Sequence, residues 1–592
     1  MSQTQRQTNR KKPIATMLMK HLHSPLAATS KIAKTRLWFS LSLLVAGFYC
    51  LEALQEAFAS NYVVQDDARQ HVFWMQRFLD AELFPGDLIA DYFQSVAPVG
   101  YSSFYRIFAE LGLAPDLLNK LLPLALSLIA TAYCFGIALQ MLPIPIAGFW
   151  SALFLNQNLW MRDDLVSATP AAFVYPLFLA FLYYLLRRSL LPTLAAIALL
   201  GLFYPQCVFL AVGVLALGRW HWGGRRFRTR RDYRFCASGV VVAVLVLLPY
   251  ALQTSEFGPV VTFEQARALP AFAERGWSHF FDDGFWDYWI CGKRSGFLPP
   301  EWCRIIDKHS VWLLPPQIWA SLLLPLLLYY RAKLPLVARI SPKISRLLQL
   351  LLVSGAMFLL AHLFLFKLHL PNRYTEHSLR IIVAIAGGVA LTIIIDTLWH
   401  YRRAAIATSL CTVILGATVV FYPSILRTND FPFPVTQYTE GQVPELYQFL
   451  LSQPKETLVA SVAPEVNSLP SFAQRPILVG GEGFVLPYHL GYYGEMTQRT
   501  VELINAQYSE DLPAVQQFVR QYGVDFWLLE RTAFSVDYVE HHPWSGQYSA
   551  FHQASAQLQQ GAVPALSTLQ KRCSALATDS LVVLDAQCIL NS

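Results

Sequence analysis

The chain has 592 residues, of which 54% are hydrophobic, 14% aromatic and only 14% charged, with a formal net charge of +7. This composition, with a mean hydropathy of +0.37, excludes a soluble globular enzyme and describes an integral membrane protein. The positive charge gathers beside apolar stretches, at Arg225-Arg226, Arg230-Arg231 and Arg402-Arg403, which points to membrane topology and away from nucleic acid.

Residues 1–36 form a basic tail carrying Lys11, Lys12, Lys20, Lys31, Lys34 and Arg36, with no acidic residue before the first apolar span, Leu37–Phe58. Positive-inside logic keeps this tail cytoplasmic. Ala57-Phe58-Ala59 resembles a signal-peptide cleavage site, but a span of about twenty residues behind so long a basic region reads as an uncleaved anchor. Further spans follow at Leu118–Leu142, Ile144–Trp160, Pro170–Leu186, Phe235–Leu252, Val311–Tyr330, Leu347–Phe366, Ile381–Leu398 and Ala404–Ile425. Leu190–Leu217 as a single crossing would put basic clusters on opposite faces, so Tyr204-Pro205-Gln206 is expected to turn it into two short helices. The reading is an α-helical polytopic membrane protein with about eleven transmembrane helices.

Residues 37–426 thus form the membrane domain, with large outer loops at 59–117 and 253–310. Residues 427–592 form a small extracytoplasmic α/β domain. There, Thr457–Val462, Pro476–Val479, Asp525–Leu529 and Ser580–Leu584 read as strands, and Val443–Leu451 and Leu512–Tyr522 as helices, the second ended by Gly523. Of nine cysteines, Cys291 with Cys303 and Cys573 with Cys588 lie outside the spans, where disulfides form, although spacing leaves connectivity open.

Three elements on the outer side carry chemistry. The first is Asp66-Asp67, followed by Arg69 and His71; Ala68, Val72, Met75 and Leu79 then recur at helical spacing, predicting an amphipathic helix on the membrane surface. Asp67 is the better candidate base and Asp66 the better N-cap. The second is Asp163-Asp164 after the third span, suited to orienting an acceptor hydroxyl or a divalent ion. The third is the basic run from Lys367 to Arg380, which breaks the positive-inside trend and fits an anionic ligand, with Arg373 as first contact and Lys367 and Arg380 as helpers. Aromatic residues crowd 277–289, where membrane-interface anchoring accounts for most of them and a sugar-stacking wall beside Asp282-Asp283 is the alternative.

In layout and in these short motifs, the portion from Leu37 to Ile425 resembles the GT-C superfamily, membrane glycosyltransferases that use polyprenyl-phosphate sugars. The resemblance places Asp66-Asp67 at the family's first-loop acidic motif, Asp163-Asp164 at its second acidic site and Arg373 at its lipid-phosphate contact. It implies inverting sugar transfer on the outer leaflet, with Asp67 taking the acceptor's proton while Arg373 and Arg69 stabilise the departing phosphate. The implied partners are a polyprenyl-phosphate sugar, a glycan, lipid or protein acceptor, and membrane lipids, with no nucleic acid. The setting is a bacterial plasma membrane. Mg or Mn is the possible cofactor, and Ala68-Arg69 directly after the acids, with no Asp-X-Asp, counts against it. The alternatives are a lipid-linked glycan polymerase or ligase, and a polytopic transporter, for which intramembrane charge is scarce.

Overall fold

The computed structural model describes residues 28–217, 230–400 and 405–592. The basic pairs Arg225-Arg226 and Arg402-Arg403, and most of the N-terminal tail, lie outside the described residues. By length and composition, six described helices qualify as full crossings, fewer than the eleven expected. The shorter apolar helices Leu190–Phe203, Gln206–Leu217, Pro316–Tyr329 and Thr408–Val420 account for most of the difference. The chain is an integral, multi-pass membrane protein.

Proline sets many of the starts. Pro115, Pro145, Pro170, Pro316 and Pro371 occupy first-turn positions, where a missing N–H costs nothing because that donor has no partner inside the helix. Pro205 acts as expected, separating Leu190–Phe203 from Gln206–Leu217. The two fold back on each other: a Cβ at Gly239, in helix Arg230–Leu252, would lie 2.6 Å from Leu215 and 3.5 Å from Ile197. Both arms of the hairpin therefore pack against that face of the helix.

The candidate spans differ in how much protein surrounds them. Pro371–Trp399 is 78% buried and Asp232–Leu252 only 17%, so the first is the central post of the bundle and the second faces outward. The central post carries Glu376, His377 and Arg380 buried at its start, which places a polar site inside the protein.

The first outer loop departs from expectation. In the stretch expected to be a surface helix only Ala68–His71 is α-helical, followed by a 3-10 turn at Phe73–Phe78 in which Phe73, Trp74 and Met75 are all buried. Apolar residues on every side suit a segment enclosed by protein rather than one lying on a lipid surface. Its cover comes from the C-terminal part: the Phe73 ring lies 6.2 Å from Phe484, and a Cβ at Gly483 (φ +93°) would collide with Gln70. The loop is also stitched there by main-chain pairing, because β1 (Val63–Gln65) runs antiparallel to β2 (Tyr438–Glu440).

The C-terminal part contains a four-stranded sheet of β3 (Val459–Ala460), β4 (Phe526–Glu530), β5 (Ser574–Ala577) and β6 (Leu581–Asp585) in the order β3-β4-β6-β5. Only the β3–β4 pair is parallel. The helix Leu512–Tyr522 ends at Gly523 in the left-handed region (φ +64°), as its sequence predicts. Helix Leu490–Gln507 and strand β5 were not anticipated. Both expected disulfides, Cys291–Cys303 and Cys573–Cys588, are formed.

Candidate active site

The carboxylates of the first two outer loops meet in one cluster. Gln65, at the end of β1, donates from Nε2 to Asp163 Oδ2 (3.4 Å), and its Oε1 accepts from the Ala68 backbone (3.1 Å), joining the two acidic motifs. Arg162 lies against both members of the second pair, with Nε 3.4 Å from Asp163 and 3.6 Å from Asp164.

The four acids do different work. Asp66 is ion-paired with Arg69. Asp164 accepts from Arg380 Nη1 (2.8 Å) and Tyr175 (3.3 Å). Burial would raise its proton affinity, but the charges of Arg380 and Arg162 prevail and hold it far below the usual carboxylate range. Asp163 is raised by burial, which outweighs Arg162. Asp67 begins the helix Ala68–His71 without capping it and, among the described residues, makes no side-chain hydrogen bond or ion pair. Burial, then the negative charges of Asp163 and Asp66, push its carboxyl up to about 7. It stays partly open to solvent. Tyr101, buried with an unpartnered hydroxyl, lies within electrostatic reach of it. His71 is pushed down to about 4 by burial, and its ring sits edge-on to Phe93 at 5.5 Å.

The third expected element is not an open loop. After the turn at 364–370 and the 3-10 turn Pro371–Tyr374, the helix Glu376–His400 begins, and the charged residues lie at its start. Arg373 Nη1 pairs with Glu376 (2.5 Å), while its Nε is buried and unpartnered. Glu376, fully buried, also accepts from Asn372 (3.4 Å) and lies 3.5 Å from His377, whose Nδ1 meets the Tyr175 hydroxyl at 3.1 Å. Arg373 is among the charges acting on Asp164, so this element and the acidic motifs share one electrostatic site.

Arg380, expected at the phosphate, is instead sealed in the core at 0% exposure. Its Nε and Nη2 grip the two oxygens of Glu301 (2.7 and 2.8 Å) and its Nη1 grips Asp164. A guanidinium with every nitrogen engaged and no surface cannot meet a lipid headgroup, so its task is to hold Asp164 and Glu301 in place. Lys367 is exposed at the turn and, among the described residues, makes no ion pair with the cluster.

Glu301, Tyr175, Glu376 and His377 are members that sequence reasoning did not assign. Glu376 and His377 lay inside the run already singled out, and Tyr175 one and a half turns past Thr169; Glu301 carried no signal except its place within the Cys291–Cys303 loop. No three His, Cys, Asp or Glu side chains among the described residues converge as a metal-ligand set. With Asp164 held by Arg380 and Asp66 by Arg69, the least committed pair left for a divalent cation is Asp67 and Asp163.

Comparison with solved structures reveals the fold. An oligosaccharyltransferase of Archaeoglobus fulgidus, solved in complex with Zn and sulfate, superposes with a TM-score of 0.52 at 12% identity, covering 87% of this chain and 70% of that one. The same archaeal protein tethered to an acceptor peptide gives a TM-score of 0.49 at 12% identity, over 87% and 72% of the two chains. No protein-family model and no curated protein sequence matches the chain. The chain therefore shares the fold of this archaeal oligosaccharyltransferase, a GT-C fold.

Proposed function

We propose that the chain is a membrane glycosyltransferase that moves a sugar, a hexose or a pentose, from a polyprenyl-phosphate donor to an acceptor hydroxyl at the outer face of the membrane. The observation that carries the reading is Asp67: alone of the four clustered acids it is uncommitted, partly open, and raised to about 7, the range suited to a general base at neutral pH. In the reaction the acceptor oxygen gives its proton to Asp67 and bonds to the anomeric carbon. The bond from that carbon to the phosphate oxygen breaks, and the polyprenyl phosphate leaves with both bonding electrons. Attack opposite the leaving group inverts the anomeric centre.

Arg373, with its free buried Nε, stabilises the charge growing on the phosphate, and Arg69, whose Nε is likewise buried and unpartnered, assists from the first loop. Asp163 orients the acceptor, while Asp164 is fixed by Arg380. A divalent cation such as Mg or Mn would rest on Asp67 and Asp163 and neutralise phosphate charge; no step above depends on it. Residues 427–592 form the outer module that covers the first loop, with the N-terminus on the cytoplasmic side of a bacterial plasma membrane.

The test is transfer of labelled sugar from a polyprenyl-phosphate sugar by the purified protein. Loss of a general base reduces turnover about 100- to 10,000-fold, so Asp67→Asn is expected to be nearly inactive while Asp66→Asn, which only loses the Arg69 pair, retains most activity. Near-normal turnover by Asp67→Asn in folded protein removes Asp67 as the base.

A further inference from the structure

A second concentration of positive charge borders this site and takes no part in the reaction just described. The segment Cys291-Gly292-Lys293-Arg294-Ser295-Gly296 is a tight turn closed by Gly296 N–H to Gly292 O (2.9 Å) and anchored by the Cys291–Cys303 disulfide. Its glycines are demanded by space. A Cβ at Gly292 would meet the Asp287 carbonyl at 2.7 Å, and one at Gly296 would meet the Gly292 nitrogen at 2.5 Å. The turn is fastened to the charged start of the central helix, because Asn372 donates from Nδ2 to Lys293 O (3.0 Å) and from its backbone to Arg294 O (3.3 Å). Arg373 is the next residue along.

Neither cation of this turn has an ion-pair partner among the described residues, in contrast to Arg69, Arg373 and Arg380, each of which holds a carboxylate. Arg294 Nη1 is buried without a hydrogen-bond partner. Lys293 is exposed, yet enough protein surrounds it that desolvation, and then the charge of Arg294, lower its proton affinity; Arg162, Asp163 and Glu482 also act on it. The bonds from Asn372 to Lys293 O and Arg294 O set both cations beside Arg373. A rigid turn that sets two adjacent cations without ion-pair partners beside Arg373 is suited to receive an anion.

We propose that Lys293 and Arg294 form a second oxyanion subsite, beside the one at Arg373, that receives an additional acidic group of the bound substrates. The group is supplied either by a second phosphate on the lipid donor or by an acid on the acceptor sugar. This rests on the reading of Arg373 as the contact of the first phosphate. The two are tested together on the full-length protein in detergent, by binding of sugar-free polyprenyl monophosphate and polyprenyl diphosphate to wild type, K293Q/R294Q and Arg373→Ala.

A charge-assisted contact is worth about tenfold or more in affinity. If the donor is the source, wild type binds the diphosphate at least about tenfold more tightly than the monophosphate, and K293Q/R294Q loses that preference while keeping its monophosphate affinity. If the acceptor is the source, the lipids bind alike; then, with polyprenyl monophosphate saturating, methyl glucuronide binds wild type more tightly than methyl glucoside, and the double variant abolishes the difference. Wild type and K293Q/R294Q behaving alike towards both pairs of probes overturns the second subsite. Unchanged monophosphate binding by Arg373→Ala instead overturns the reading on which it rests, a distinct result.

Discussion

Replacing Asp67 by asparagine is expected to stabilise the protein above neutral pH even as it removes activity. Burial and the neighbouring carboxylates lift this group from 3.8 to about 7. The folded chain therefore binds a proton that the unfolded chain has already released, and stability falls as pH rises between roughly 4 and 7 and stays reduced above it. Three decades of proton affinity correspond to about 4 kcal/mol at most, and the high effective dielectric of a partly open site brings the expected gain for Asp67→Asn to about 1–2 kcal/mol at pH 8. At pH 5 only about a third of that fall has taken place, so the gap should shrink to about a third of its size at pH 8. Thermal unfolding of the two purified proteins at both pH values measures this. A variant no more stable than wild type at pH 8, or a gap of equal size at pH 5, would show that Asp67 is not held in a desolvated, acidic neighbourhood.

The same group gives turnover a rising pH limb centred near 7, since only the ionised form accepts a proton; a flat profile from pH 6 to 8 contradicts its role. Arg380→Ala leaves Asp164 and Glu301 buried without their cation and is expected to cost about 3–5 kcal/mol, read as a lowered unfolding midpoint, and a wild-type midpoint would show the network to be dispensable. Arg373→Ala should raise the donor KM about tenfold or more, the worth of a lost charge-assisted contact to phosphate. Cys291→Ser with Cys303→Ser frees a segment carrying Lys293 and Glu301, with an expected loss of about 3 kcal/mol and of transfer activity; Cys573→Ser with Cys588→Ser, remote from the cluster in the C-terminal sheet, should affect stability alone.

What the sequence could reveal divides by the range of the interaction. The hairpin at Pro205 and the helix stop at Gly523 were legible, because each depends on the backbone of one residue. The meeting of Asp67, Asp163, Asp164 and Arg373 was anticipated from their expected placement on one side of the membrane. The task of Arg380 was not legible: its partners Glu301 and Asp164 lie 79 and 216 residues away, and nothing local distinguishes a sealed guanidinium from one reaching for phosphate. The surface helix was misjudged because a helical repeat of apolar residues does not say whether lipid or protein covers it, and here the cover, Phe484 and Gly483, arrives some four hundred residues later. Strand β5 escaped notice because it is four mostly exposed residues without alternation.

The central claim is that one cavity holds the donor phosphate at Arg373 with its sugar carbon turned towards Asp67. An experimental structure of the full chain with bound polyprenyl-phosphate sugar tests it most directly. The account predicts phosphate density within hydrogen-bond reach of the Arg373 guanidinium, and the anomeric carbon on the side of the phosphate that faces the Asp67 carboxylate. Phosphate bound instead in the cleft between Glu52, Arg304 and Arg427, or at exposed Lys367, with Asp67 out of reach of the sugar, would contradict it.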